Sequence, residues 1–349
     1  MKMEVAFVLP ISGTQNWIDI NSVWSPAMAE RTLTLTTSPH LHSGESVPKI
    51  MRQVIWALIP VIGAAVYFFG LRALLLLVVC SGASLLAEHI CQKLRRRATT
   101  VGDGSALITG ILLALILPPA IPLWTAALGA VVAIVMGKII FGGLGHNKFN
   151  PALVGRAFLQ AAFPVLMTTW SLPGQKFLSL QIDAVSQATP LAAMKFQHQL
   201  SEYSNLFWGN ISGSLGETSV FAILLGGLYL VVKKIADWRI IAGIFGSSIV
   251  FSSVLWQLNP AQYVDPMFHL FSGGFMLGTF FMATDMIASP TTPRGRWIYG
   301  LGIGSLIILI RTFSGLPEGV MYAILLMNAI SPLIERYTQP LKYGHVKPN

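Results

Sequence analysis

Side chains that could do chemistry are concentrated in a few short stretches of this sequence. The longest polar interval between apolar segments contains Asp183-Ala184-Val185-Ser186-Gln187-Ala188-Thr189-Pro190-Leu191. Asp183 and Ser186 can hydrogen-bond nearby backbone N–H groups, and Pro190 fixes the backbone after Thr189. Residue chemistry alone therefore indicates a turn-prone, hydroxyl-rich loop.

Asp285 is a carboxylate inside an apolar segment, in the stretch Phe280-Phe281-Met282-Ala283-Thr284-Asp285. A charged group at membrane depth is costly, so it is a functional hypothesis by default. Two structural alternatives stay open: Asp285 can cap a broken helix, or it can pair with Arg294. Glu88 and His89, near the end of another apolar segment, are interpreted as interfacial residues.

The loop Gly142-Gly143-Leu144-Gly145-His146-Asn147-Lys148-Phe149-Asn150-Pro151 is rich in Gly and Asn, and its backbone could approach a planar ligand closely. The alternative is a tight turn between helices, in which Asn150 caps the next helix and Pro151 takes its first position. Residue chemistry favours this alternative.

No catalytic or metal-binding constellation follows from residue spacing. His40 and His42 have no third ligand nearby. Cys80 and Cys91 are too few for a four-thiolate iron–sulfur site, and they are interpreted as small core residues. Nucleophile-elbow, P-loop and dinucleotide-binding glycine patterns are absent from the sequence. We therefore predict no catalytic residue and no metal ligand in this chain.

The composition indicates a polytopic membrane protein. Of the 349 residues, 54% are hydrophobic and only 11% are charged, and soluble proteins of this size carry more charge. The formal net charge is +9, but the Lys and Arg residues flank apolar runs instead of forming one basic face. The charge therefore sets membrane topology, with lipid as the surrounding partner, and nucleic-acid binding is excluded.

Apolar runs long enough to serve as membrane crossings begin at about Val54. The hydropathy pattern predicts about ten transmembrane helices, near residues 50–70, 73–93, 105–117, 121–140, 152–169, 218–233, 239–257, 269–288, 297–312 and 319–336.

Positively charged residues orient these segments. Clusters such as Arg95-Arg96-Arg97 and Lys233-Lys234 follow even-numbered segments, so that side is predicted to be cytoplasmic. Both termini then lie inside and Thr189 lies outside, while Arg72 and Arg311, the discordant charges, reach the interface from helix ends. The predicted organisation is a cytoplasmic N-terminal region 1–45, a first membrane repeat 46–169, a periplasmic loop 170–217, a second membrane repeat 218–338 and a cytoplasmic tail 339–349.

Two segments resemble each other. Asp103-Gly104-Ser105 opens a run that stops at Leu117-Pro118-Pro119, and Ser272-Gly273-Gly274 opens one that stops at Ala288-Ser289-Pro290. They are third and eighth in order and run in opposite directions, which predicts an inverted five-plus-five repeat with two broken helices. From the residues alone, the chain is a transporter, a channel or a subunit of a larger membrane complex.

Several motifs in the right order make the chain similar to the D subunit of the Rnf ion-translocating electron-transport complex (RnfD, or RsxD), within the NqrB/RnfD family. These motifs are Ser38-Pro39-His40 with His42-Ser43-Gly44, Asp103-Gly104-Ser105-Ala106-Leu107 with Leu117-Pro118-Pro119, Gly142 to Ala152, Asp183 to Leu191, and Phe281-Met282-Ala283-Thr284-Asp285. The resemblance runs from about residue 36 to about residue 340.

This resemblance implies a redox subunit that carries covalent FMN. In the family, the FMN phosphate is joined to a threonine hydroxyl of a D-x-x-[ST]-G-A-T motif by a flavin transferase outside the cytoplasmic membrane. Here the acceptor would be Thr189, with Asp183, Ser186 and Ala188 completing the attachment motif. Gln187 stands where the family usually has Gly.

The resemblance also implies a fold similar to urea transporters, in agreement with the inverted repeat. Related subunits hold a second flavin, noncovalent riboflavin, toward the cytoplasm, and Asn147 and Asn150 are candidates for its wall. Asp285 matches the family pattern, which makes it a candidate for the pathway of Na⁺ or H⁺.

The expected function is transfer of electrons, coupled to Na⁺ or H⁺ movement, in a complex of the bacterial inner membrane. The chain would be a subunit of a translocase-type oxidoreductase and would need other membrane, iron–sulfur and flavin subunits. The alternative is a small-solute channel of urea-transporter-like fold without a cofactor.

Overall fold

The computed structural model describes residues 46–97, 99–174, 187–260 and 262–340, which form helices and, within these ranges, no strand. The predicted region 1–45, Asp183 and Ser186 of the attachment motif, and nearly all of the tail 339–349 lie outside the described residues. The α-helices are α1 Val47–Leu94, α2 Ser105–Ile116, α3 Leu123–Ile134, α4 Pro151–Ala162, α5 Pro164–Thr168, α6 Pro190–Gln197, α7 Tyr203–Trp208, α8 Val220–Val232, α9 Trp238–Leu258, α10 Pro266–Phe271, α11 Phe275–Leu277, α12 Pro293–Phe313 and α13 Val320–Thr338.

The first two predicted segments are joined in α1, which has 48 residues. Gly70 has non-helical backbone angles, φ 63° and ψ −147°, so two helices meet there at a kink. Only glycine adopts such angles readily. The side chain of Arg72, just after the kink, donates hydrogen bonds to Ile121 O at 2.6 Å and Pro119 O at 3.4 Å. This half-buried arginine therefore ties the kink to the turn that follows α2.

The two predicted broken helices are short and buried in the structure. Helix α2 has 12 residues, which is about 18 Å of helix against a hydrocarbon core of about 30 Å. It ends at Leu117 because Pro118 and Pro119 cannot continue it. The predicted segment 269–288 is not one helix. Helix α10 ends at Phe271, and α11 starts after Gly274 and continues as the π-helix Gly278–Met282.

A buried cation at the end of a later helix contacts the start of each broken helix. Lys138, in the π-helical extension of α3, donates from Nζ to Ser105 Oγ at 2.6 Å. Arg311, near the end of α12, donates from Nη2 to Ser272 O at 2.9 Å. A buried cation thus meets a serine beside each broken helix, at the side chain of Ser105 in the first half and at the main chain of Ser272 in the second.

Three helices in the described part are long and apolar enough to cross a membrane: Val47–Leu94, Trp238–Leu258 and Pro293–Phe313. Shorter apolar helices lie at Ser105–Ile116, Leu123–Ile139 and Val220–Val232. Apolar side chains such as Tyr67, Val232 and Leu258 are at least three-quarters exposed, 81%, 77% and 75%, as expected of a surface solvated by lipid. The all-helical membrane fold is confirmed, while the count of ten crossings and the five-plus-five repeat stay predictions.

Candidate functional site

Thr189 begins helix α6 as its N-cap residue. Its backbone is extended, with φ −65° and ψ 157°, and its Oγ1 accepts a hydrogen bond from Ala192 N at 3.2 Å. Pro190 follows at the first helical position, where its missing N–H costs nothing. The described end of the stretch that the sequence predicts as a turn, residues 187–191, therefore leads into a helix start, and the cap holds the threonine hydroxyl in one orientation.

Two hydrogen bonds fix the chain just before Thr189. Ser212 Oγ donates to Ala188 O at 2.8 Å, and Gln187 N donates to Trp170 O at 3.2 Å. The bond at Gln187 uses the main chain, so any non-proline residue can make it. Ala188 and Thr189 are thus seated against the loop that follows α5 and the loop that precedes α8.

The hydroxyl-bearing side chain of Thr189 lines a cavity of about 100 Å³, which we call the Thr189 cavity. Polar and aromatic residues from distant parts of the chain share its wall: Arg156, Gln160, Trp170, Glu217, Glu318 and Tyr322. Its small volume accommodates a phosphate-sized group, whereas pockets for drug-sized ligands start at about 300 Å³.

An ion cluster forms the polar end of the Thr189 cavity. Arg156, on α4, donates from Nη1 to Glu217 Oε1 at 3.2 Å and from Nη2 to Glu318 Oε2 at 2.5 Å. The side chains of Arg156 and Glu217 are each 6% exposed. Gly274 N donates to Glu318 Oε1 at 3.1 Å, and a Cβ on Gly274 would lie 2.6 Å and 2.8 Å from the two Glu Oε1 atoms. Both carboxylates therefore meet the start of the second broken helix.

Sequence reasoning missed Glu217 and Glu318. Glu217 directly precedes the predicted apolar segment 218–233, and Glu318 directly precedes the segment 319–336. This equivalent position was the sequence feature that could have identified them as a pair. It gave no partner, because the cation that joins them is contributed by a helix more than sixty residues earlier in the chain.

Arg311 is buried, although its position at a helix end predicted that it would reach the membrane interface. Its side chain is 2% exposed, and its guanidinium donates to His269 O at 2.5 Å and to Ser272 O at 2.9 Å. The interfacial prediction was wrong because helix α10 ends beside α12 and leaves carbonyl groups that need donors.

The three other predicted site residues lie together at a second cavity. Asn147, Asn150 and Asp285 line a space of about 330 Å³, which we call the Asp285 cavity. Polar groups of Ser105 and Lys138 share the wall. Most of the remaining wall is apolar and comes from α1, α2 and the regions around α8 and the second broken helix: Val47, Ile50, Met51, Val54, Ile108, Leu112, Leu230, Ile235, Phe281 and Ile287.

Asn150 and Asn147 differ in what their side chains do. Asn150 caps α4 as predicted: its Oδ1 accepts from Ala152 N at 3.1 Å, and its Nδ2 donates to Met282 O at 3.3 Å. Asn147 Nδ2 donates to Phe149 O at 3.3 Å, but its buried Oδ1 has no hydrogen-bond partner among the residues that the structure describes. An unpaired buried amide oxygen is costly unless a donor reaches it.

Asp285 caps the turn after the second broken helix, because its Oδ1 accepts from Ile287 N at 3.1 Å. This is the first of the two alternatives left open by the sequence. In the described part of the chain, no ion pair joins Asp285 to Arg294. The carboxylate thus combines a local structural bond with a place on the cavity wall.

Glu88 is fully buried, so its interpretation as an interfacial residue was wrong. Its Oε1 accepts from Lys138 Nζ at 2.7 Å, Gln92 Nε2 at 2.9 Å and Thr100 Oγ1 at 2.8 Å. Lys138 is also buried, 1% exposed, and connects this cluster to the Asp285 cavity. His89, by contrast, is exposed.

Helix α4 connects the two cavities. Asn150 at its start lines the Asp285 cavity, and Arg156 and Gln160 line the Thr189 cavity. Ten residues of helix correspond to about 15 Å. The two candidate sites therefore lie at different heights of one bundle.

Comparison with known proteins matches the chain to the family described as "NQR2, RnfD, RnfE family" over residues 34–344. The D subunit of the Na(+)-translocating ferredoxin:NAD(+) oxidoreductase complex of Acetobacterium woodii is 44% identical over 324 residues, covering 92% of this chain and 98% of the relative. The D subunit of the proton-translocating ferredoxin:NAD(+) oxidoreductase complex of Clostridium ljungdahlii is 43% identical over 321 residues, covering 89% and 96%.

A third relative, the D subunit of the ion-translocating oxidoreductase complex of Alcanivorax borkumensis, is 39% identical over 337 residues, which cover 91% of this chain and 98% of the relative. The family predicted from the motifs is confirmed, and the matched range agrees with the predicted extent of about residues 36 to 340.

Proposed function

Because the chain belongs to the NQR2, RnfD, RnfE family, we propose that it carries FMN covalently on Thr189 and passes electrons within an ion-translocating ferredoxin:NAD(+) oxidoreductase complex. The chain is a subunit of a translocase-type oxidoreductase complex and does not act alone. Electron transfer is coupled to Na⁺ or H⁺ movement across the bacterial inner membrane.

The observation that carries this proposal is the placement of the Thr189 hydroxyl at the start of α6 and at the wall of a small polar cavity. In the proposed linkage, the flavin transferase supplies a flavin nucleotide whose FMN phosphate is activated by a phosphoanhydride bond. Oγ1 gives its proton to a base of the transferase and attacks the FMN phosphorus, the phosphoanhydride bond breaks, and the second phosphate group leaves with its substituent. The resulting phosphate diester keeps one negative charge. The positive end of the α6 dipole favours that charge, and the Ala192 N–H already points at Oγ1. FMN supplies a redox centre that accepts and donates one or two electrons.

The size of the Thr189 cavity determines where the rest of the flavin lies. A volume of about 100 Å³ is too small for three fused rings, so the protein holds the phosphate end and leaves the ring outside the bundle. A ring in that position is accessible to a flavin or iron–sulfur partner subunit on the same side. A flavin transferase can reach Thr189 from the same side, because the flavin that it transfers does not have to enter the bundle.

The Asp285 cavity suits a second, noncovalent flavin, which we assign as riboflavin. Its volume of about 330 Å³ falls within the range of small-molecule sites, and its apolar walls match a planar ring system. The unpaired Oδ1 of Asn147 would accept a hydrogen bond from a ring N–H. Asn150 Nδ2 donates to Met282 O and so fixes the end of the second broken helix beside the cavity. Neither flavin needs a metal ligand from this chain.

Topology completes the proposal. With the Lys- and Arg-rich loops inside, the Thr189 cavity faces the periplasm, the Asp285 cavity faces the cytoplasm, and both termini are cytoplasmic. Electrons then pass between flavins at the two ends of the bundle, and Asp285 borders the path of the coupling ion.

A denaturing gel viewed under ultraviolet light tests the covalent flavin, because only a bonded flavin migrates with the protein band. The chain is co-expressed with a flavin transferase as wild type, Thr189→Ala and Thr168→Ala. Thr168 is a matched control, since it lines the same cavity and, within the described ranges, its hydroxyl donates to the carbonyls of Pro164 and Val165 in its own helix.

We expect fluorescence from the wild type and Thr168→Ala and none from Thr189→Ala. Fluorescence retained in Thr189→Ala would reject this attachment point. A dark wild-type band would reject covalent FMN and favour the alternative of a small-solute channel without a cofactor.

A further inference from the structure

Leu191, the second residue of α6, packs this helix against the start of the second broken helix. Leu191, 3% exposed, lies over Gly273. Gly273 has φ +63°, and a Cβ there would be 2.6 Å from Leu191 Cδ1. The contact therefore requires glycine for both its backbone angle and its space.

Lys195, one turn further along α6, fastens the other end of the helix. Its Nζ donates to Arg311 O at 2.7 Å, to Leu316 O at 3.1 Å and to Ser314 O. An ammonium group has three N–H donors, so its whole hydrogen-bonding capacity is directed at the end of α12. Partial burial lowers the pKa of Lys195 from its ordinary value.

The same arginine connects this contact to the broken helix. The backbone carbonyl of Arg311 accepts from Lys195, while its guanidinium donates to His269 O and Ser272 O, the last carbonyls before the break. Thr189 is thus connected to residues 272–274 by two short routes, through Leu191 and through Lys195 and Arg311.

We propose that Lys195 is a positioning residue for the flavin attachment point: it holds α6, and with it Thr189, at a fixed place relative to the second broken helix. This inference rests on the proposed flavin at Thr189. If Lys195 did no more than satisfy the carbonyl groups at the end of α12, its loss would destabilise the fold but would slow reduction of both flavins equally. The consequence is that a reaction at the attached flavin depends on Lys195, whereas a reaction at the other flavin does not.

The experiment uses the purified full complex with three substitutions. Lys195→Met keeps the unbranched stem, one atom shorter, and removes the donors, whereas Lys195→Arg keeps the positive charge and N–H donors. Lys93→Met is the matched control, because Lys93 is exposed in the last turn of α1. Amide hydrogen exchange of residues 191–197, covalent flavin fluorescence and the reduction rates of both flavins are measured in the same preparations.

We expect Lys195→Met to accelerate amide exchange in α6 by at least about tenfold, the loss expected when charge-assisted hydrogen bonds are removed. It should retain covalent flavin and slow reduction of that flavin, with the noncovalent flavin unaffected. Lys195→Arg should recover both properties, and Lys93→Met should match the wild type.

Exchange in α6 that is equal in Lys195→Met and Lys93→Met would overturn the inference. Equal slowing of both flavins, or unchanged reduction of the covalent flavin despite faster exchange, would overturn it too. A wild-type complex without covalent flavin would refute the proposed function instead, and hydrogen exchange alone would then decide whether Lys195 holds α6.

Discussion

Replacing Arg156 with methionine is expected to destabilise the bundle strongly. Arg156 and Glu217 are each 6% exposed, and Glu318 is 20% exposed, so the cluster is largely removed from solvent. The substitution leaves two carboxylates at the start of the second broken helix without the cation that they share. Removing one partner of a buried ion pair costs about 3–5 kcal/mol, which lowers the thermal midpoint by roughly 5–10 °C.

Thermal unfolding of the purified protein in detergent, followed by tryptophan fluorescence, measures this loss. A triple variant, Arg156→Met with Glu217→Gln and Glu318→Gln, removes all three charges with little change in side-chain size. We expect this variant to recover at least half of the decrease in thermal midpoint that Arg156→Met alone causes. Arg239→Met is the control, because the Arg239 side chain is 33% exposed and Asp237, its partner, keeps a second ion pair with Arg296 when Arg239 is removed. We expect that substitution to cost about 0–1 kcal/mol. A midpoint for Arg156→Met within the error of the wild type, or a triple variant no more stable than the single one, would refute the electrostatic account.

Two further substitutions test the Asp285 cavity. Asp285→Asn keeps an acceptor for Ile287 N and removes only the charge, so we expect normal flavin content and ion uptake reduced at least about fivefold; wild-type uptake in vesicles would remove the need for a titratable group there. Asn147→Ala removes the unpaired Oδ1 and should weaken retention of the noncovalent flavin about two- to tenfold, the value of one hydrogen bond, as measured by flavin extraction. Asn259→Ala, at an exposed position, should retain the flavin, and equal retention in both Asn variants would contradict the assignment.

Local features of this fold could be predicted from the sequence because they depend on neighbouring residues. The cap formed by Asn150 and the stop before Pro118 follow from residue type and spacing, and hydropathy located the apolar helices. The predicted stop at Ala288-Ser289-Pro290 was too late, because the second broken helix ends at Met282. The segment 269–288 was predicted as one helix because hydropathy averages over the break at residues 272–274. Its Gly-Gly pair marked the start of a helix but did not reveal that another helix ends just before it.

Contacts between distant residues could not be predicted from a single sequence. Glu88 and Arg311 were both assigned to the interface because charge at a helix end usually lies there, yet each has buried partners on another helix. The cluster of Arg156 with two glutamates depends on the same kind of long-range packing. Asn147, Asn150 and Asp285 were selected by family resemblance, and the structure brings them to one cavity, while the identity of its ligand stays a prediction.

Mass spectrometry of the peptide Phe177–Lys195 tests the central claim most directly. The chain is purified from cells that express a flavin transferase, and fragmentation distinguishes Thr189 from Ser179 and Ser186, the other hydroxyl residues in that peptide. We predict a peptide whose mass is raised by FMN joined through phosphate, with fragments that place the added mass on Thr189. An unmodified peptide, or FMN on either serine, would contradict the account.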